Sequence, residues 1–115
     1  MVATKHARTL LKAADGHEIH LQEWQPDETP VRVVQILHGL GEHAGRYARF
    51  AEAAAERGMV VYCHDHRGHG ERADQHGYLG GKDGWRRLVS DSHTVHQEIR
   101  RRDEALRRAK SQYKR

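Results

Sequence analysis

An α/β fold with two parallel strands is predicted by two stretches of the same grammar and by the helical spacing between them. Val31 to Leu37 is an apolar run that stops abruptly at His38-Gly39-Leu40-Gly41. Met59 to His64 is a second such run, and it stops at Asp65-His66-Arg67-Gly68-His69-Gly70. Buried parallel strands read as continuous apolar runs, and glycine-rich turns at their ends leave backbone N–H groups free to face an anion. Between the two runs, Arg46 to Arg57 has helical spacing, with Phe50, Ala53 and Ala54 as expected core positions and Gly58 as a C-terminal cap.

The remaining elements follow in order. Thr9 to Ala14, Asp15-Gly16 and His17 to Trp24 read as a hairpin, because Asp-Gly tolerates the positive φ of a tight turn. Ile19 and Leu21 share one face of its second strand. Pro26 and Pro30 bracket a polar loop outside the strand interiors. Gly68 to Gly84 is polar and glycine-rich, a long loop of the kind that carries function. From Trp85 onward, Leu88, Ser92, Val95, Ile99, Leu106, Ala109 and Tyr113 recur at three- and four-residue steps, broken only by Arg102. That pattern predicts a helix running nearly to the end, its last turns too charged for deep burial.

A chain of 115 residues can enclose one modest core. Of its 20 basic and 16 acidic residues, 8 and 2 lie in the last 16 positions, from Arg100 to Arg115. The net charge of +4 is therefore concentrated at the C-terminus, over a body that is slightly acidic. We accordingly divide the chain into a body, residues 1–103, and a basic helical tail, residues 104–115. Cys63 is the single cysteine, so no intrachain disulfide can form, and a reducing, cytoplasmic location is the expectation. No apolar run approaches the roughly 20 residues of a membrane helix. The acid-free first 14 residues are read as a first strand rather than a transit peptide.

Two decorated turns carry a resemblance. His38-Gly39-Leu40-Gly41-Glu42-His43-Ala44-Gly45-Arg46-Tyr47 follows the pattern H-G-x-G-E-H-x-x-R-Y, and Asp65-His66-Arg67-Gly68-His69-Gly70 follows D-x-R-G-H-G. In both, the chain resembles the monoacylglycerol lipase and lysophospholipase branch of the α/β-hydrolase family, close to its serine-aminopeptidase-like members. The similarity runs from about Thr9 to about Asp103. It implies a partial α/β-hydrolase sheet of an N-terminal hairpin, two parallel strands and two helices, truncated before the nucleophile elbow. It also implies hydrolysis of carboxylic esters of lipid-like substrates without a cofactor. By the same resemblance the Leu40 amide is an oxyanion donor, supported by His38, Gly39, Gly41, Asp65, Arg67, Gly68, His69 and Gly70. Asp65 would accept hydrogen bonds from loop amides or pair with Arg67.

The family nucleophile is the serine of a G-x-S-x-G elbow, followed in chain order by the acid and the histidine. Ser90, Ser92 and Ser111 are the only serines here and none is flanked by glycine. The chain alone is therefore expected to be inactive, and neither Asp65, Asp91 nor any of the 11 histidines is assigned to a triad. His64, Asp65, His66 and His69 have ligand chemistry but are not expected to bind a metal, because a specific site needs convergent donors and supporting hydrogen bonds. The arginine-rich tail has Tyr113 as its one aromatic residue and so no interleaved stacking platform, and no specific nucleic-acid partner is expected. From another class, a non-catalytic interaction module would use an open sheet edge or the basic helix. Either reading leaves Val31 to Leu37 with an unpaired edge open to self-association or to a complementing C-terminal chain.

Overall fold

A computed structural model describes residues 1–71 and 73–113. Strand β1 spans Thr4–Lys12 and β2 spans Glu18–Pro26. They pair antiparallel from Thr4↔Pro26 to Lys12↔Glu18. The turn joining them closes with Ala13 N–H on the His17 carbonyl and Gly16 N–H on the Ala13 carbonyl, both at 2.9 Å. Gly16 has φ 88°, which makes this a three-residue loop ending in a left-handed glycine. β1 begins five residues earlier than Thr9, where periodicity placed it. Most of its side chains are exposed, so no apolar alternation announced its first half.

β3, Arg32–Ile36, leads through the His38 turn and a 3-10 turn at Ala44–Tyr47 into helix α1, Ala48–Glu56. Gly58, at φ 90°, ends that helix by donating to the Ala55 carbonyl at 3.0 Å. β4, Met59–His64, then pairs parallel with β3 and antiparallel with β2. Sheet order is β1-β2-β4-β3, so β3 has a strand on one side only among the described residues. Helix α2 runs unbroken over Gly84–Tyr113. It crosses the 103/104 division, and Arg107 still donates to the Pro30 carbonyl at 3.3 Å. Lys114 and Arg115 lie outside the described residues.

Alternation along β2 and β4 separates two cores, one on each face of the sheet. Ile19, Leu21, Val60 and Tyr62 pack with Val95 and Ile99 of α2. Trp24, Val61 and Cys63 face the other way, against Ala44, Ala51, Ala54 and Ala55. A fully buried side chain such as Ile19 or Val61 contributes about 1.5–3 kcal/mol by leaving water. The alanine face lets α1 approach the sheet closely and corrects the sequence expectation: Ala51 and Ala55 are buried, whereas Phe50 is 58% exposed. Burial pushes the Cys63 thiol up to about 12, so it is a neutral part of this core. No helix among the described residues is long and apolar enough to cross a membrane.

Candidate active-site loops

β3 and β4 are neighbours, but β3 hands its chain to α1 on one face and β4 hands its chain to α2 on the other. Divergence of this kind opens a crevice at the carboxyl ends of the strands, where α/β folds bind ligands. Both glycine-rich turns lie there. Gly39-Leu40-Gly41-Glu42 is closed by Glu42 N–H on the Gly39 carbonyl at 3.0 Å, with Gly41 at φ 78°. His66-Arg67-Gly68-His69 is closed in the same way at 3.0 Å, with Gly68 at φ 72°. Positive φ at the third residue of each defines a type II turn and explains the glycines.

Hydrogen bonds tie each turn to the other. Nε2 of His38 accepts the His66 N–H at 2.9 Å, while its Nδ1–H donates to the Gly39 carbonyl at 2.9 Å. His66 returns an Nε2–H to the His38 carbonyl at 3.1 Å. His69 accepts the Gly41 N–H at Nε2, 3.0 Å away, and donates from Nδ1 to the Arg67 carbonyl at 2.9 Å. A ring that accepts an N–H at one nitrogen and donates at the other is a neutral imidazole of fixed tautomer. Burial, which lowers the basicity of both His38 and His66, works in the same direction.

The H-G-x-G-E motif also closes on itself. Glu42 Oε1 accepts the Gly39 N–H and the Tyr47 hydroxyl, each at 2.7 Å, and Oε2 pairs with Arg46 at 3.0 Å. The Tyr47 hydroxyl is the main reason that Glu42 lies below its usual carboxylate range. A Cβ on Gly39 would sit 3.1 Å from Glu42 Oε1, so glycine gives the carboxylate room. Sequence reasoning assigned no role to Glu42, Arg46 or Tyr47, although a carboxylate three residues after Gly39 has the spacing of a capping interaction.

Asp65 accepts the Ala44 N–H at 2.7 Å and so anchors the chain where the first loop ends. Any side chain at Gly70 would collide with that carboxylate. Arg67 turns away from Asp65. It grips Asp91 of α2 through Nε at 2.7 Å and Nη2 at 2.9 Å, and Asp15 of the hairpin turn through Nη1 at 2.7 Å and Nη2 at 2.8 Å. His64 is fully buried, and neither of its ring nitrogens has a hydrogen-bond partner among the described residues. Among those residues no group of three or more potential ligands is disposed to hold a metal.

The result is an open cavity of about 910 Å³ above the first turn, lined by Leu40, Gly41, His43, Asp65, His69 and Gly70, with Arg8 and Glu71 on its wall. Leu40 is 90% exposed. Gly39, Gly41 and Glu42 all spend their N–H groups within the loops, whereas the Leu40 N–H has no acceptor among the described residues. Because the Gly39 carbonyl is held by two donors, the antiparallel N–H of the same trans peptide, that of Leu40, is held too.

This sheet, with its turns at the carboxyl ends of the two parallel strands, is a partial sheet of the α/β-hydrolase fold. Residues 28–109 match the family described as serine aminopeptidase, S33, and the chain belongs to that family. It is 34% identical over 86 residues to the monoglyceride lipase of Homo sapiens, covering 75% of this chain and 25% of the lipase. A lipase solved in an open form superposes with a TM-score of 0.71 at 35% identity, over 83% of this chain and 32% of its own. A thermostable carboxyl esterase from Bacillus coagulans gives 0.72 at 28% identity, over 89% and 33%. The chain thus spans about a quarter of the length of the curated lipase and a third of the solved ones.

Proposed function

We propose that this chain supplies the oxyanion-binding part of a serine ester hydrolase that acts on carboxylic esters of lipid-like substrates, with the Leu40 N–H as one donor to the developing oxyanion. The observation that carries this reading is the unspent Leu40 amide, set between spent neighbours at the mouth of the cavity. Preorganised donors of this type act where charge develops, and removal of one costs about 10²–10³ in turnover. The second donor and the nucleophile come from an elbow that these residues do not contain. The handedness of parallel crossovers supports one place for that elbow strand. Since α2 covers the face opposite α1, a right-handed connection after α2 runs past β4 to the open edge of β3.

The chain alone is then a binding framework without turnover. Incubation with a fluorophosphonate and with p-nitrophenyl butyrate is expected to give neither labelling nor hydrolysis above buffer. Stoichiometric labelling at Ser90 or Ser92 would refute the assignment of the nucleophile to an elbow. A non-catalytic interaction module is a second reading, favoured by the β3 edge that is open among the described residues; Val33 on that strand is 38% exposed and Val31, just before it, 70%. Such an edge invites strand addition. It predicts concentration-dependent self-association in sedimentation velocity, and a monomer at every concentration would remove that reading.

A further inference from the structure

We propose that His69 is a positioning residue for the oxyanion loop, its Nε2 fixing the Leu40–Gly41 peptide so that the turn carrying the unspent Leu40 N–H keeps a single, type II form. The purpose of this arrangement rests on the ester-hydrolase reading, while its geometry does not. A type II turn has one characteristic weakness. Its central peptide can flip by about 180° to the type I form without disturbing the closing hydrogen bond. In this loop the flip would exchange the Gly41 N–H for the Leu40 carbonyl on the side that faces His69, and would reshape the turn that carries the Leu40 N–H. Leu40 is too exposed for packing to prevent it, and nothing within the turn does so.

His69 supplies the missing restraint from the neighbouring loop. Its Nε2 lone pair lies 3.0 Å from the Gly41 nitrogen and accepts that N–H. After a flip the same lone pair would face the Leu40 carbonyl oxygen, two acceptors in repulsion. The restraint works only if the proton is on Nδ1, and Nδ1 is held in that state by the Arg67 carbonyl at 2.9 Å. Arg67 in turn is locked by its bonds to Asp15 and Asp91, so the ring rests on a backbone that cannot drift. His69 is only 8% exposed and stands against His38, with ring centroids 5.2 Å apart, so the ring has little room to leave this position.

The test uses the ¹⁵N-labelled chain. Ring ¹⁵N spectra should show His69 with a protonated Nδ1 and a bare Nε2, and a scalar coupling across the hydrogen bond should join that nitrogen to the Gly41 amide. The opposite tautomer would overturn the proposal without any variant. His69→Leu should speed exchange of the Gly41 amide by about tenfold, as expected for loss of one hydrogen bond. His69→Gln, whose side-chain oxygen can reach the same position, should restore protection, and amides of β4 should not change in either variant. Unchanged Gly41 exchange in His69→Leu, or failure of glutamine to rescue, would sink it. Titration with butyrate separates the two readings. If the His69 results hold but the Leu40 amide never responds to the carboxylate, the positioning role stands and the oxyanion assignment falls.

Discussion

Replacing Arg67 with methionine is expected to destabilise the fold by about 3–5 kcal/mol, because it strands a buried carboxylate. Asp91 is 2% exposed and takes two hydrogen bonds from the guanidinium, so among the described residues its carboxylate has no other hydrogen-bond donor once Arg67 is gone. Asp15, on the rim, can turn to water and to Arg87, 3.7 Å away. The clamp joins three segments distant in sequence: the hairpin turn, the second glycine loop and α2. A domain of this size has about 5–15 kcal/mol of stability in total, so the loss is a large share. Denaturation in urea should show it as a midpoint lowered by about 2 M, given slopes of 1–3 kcal/mol per molar. Adding Asp91→Leu to Arg67→Met should recover most of the loss, since the cost lies in the unpaired charge and not in the absent bridge. A single variant that unfolds within 0.5 M of the parent would show that water reaches Asp91 and that the clamp is dispensable.

Stability should fall as pH drops from about 6.5 towards 4. His64 is fully buried, with the His66 ring 5.0 Å away and no hydrogen-bond partner among the described residues, and burial depresses it to about 3. A group whose folded value is depressed contributes stability that is complete above its unfolded value, near 6.5, and is lost as pH falls toward the folded one. His64 alone accounts for a loss of about 2 kcal/mol between pH 7.5 and pH 5. His17, His38 and His66 are lowered by burial as well and add in the same direction. The carboxylates act in a lower window. Glu98, held at about 2 chiefly by the Arg101 guanidinium, and Asp15, lowered chiefly by Arg67, keep their contributions until pH falls below about 4. Urea midpoints at pH 7.5, 6 and 5 should therefore decline steadily, and His64→Leu should flatten the decline. Equal midpoints across that range would mean that the buried imidazoles are solvated.

Local pattern was enough for much of the architecture. β4 occupies Met59–His64 as the apolar run required, since Gly58 must leave the helical conformation before it and Asp65 begins a polar turn after it. The long final helix and the hairpin were readable for the same reason: their signals are spacings within one segment. The two glycine turns were also legible, because positive φ at Gly41 and Gly68 is a property that glycine alone supplies cheaply.

What the sequence left open is which side chains meet across the fold. Phe50 and Ala51 are neighbours on α1, and their periodicity serves either face. The sheet takes Ala51 because close approach of α1 over Trp24 and Val61 leaves space for a methyl group and not for a ring. Arg67 is 52 residues from Asp15 and 24 from Asp91, so no local rule could pair them. His69 meets Gly41 across 28 residues only because parallel pairing brings the ends of β3 and β4 together. Residue types and glycine spacing thus determine the two loops and the family to which they belong. Tertiary structure decides which loop amides are consumed and which one remains, because hydrogen-bond satisfaction is settled between segments.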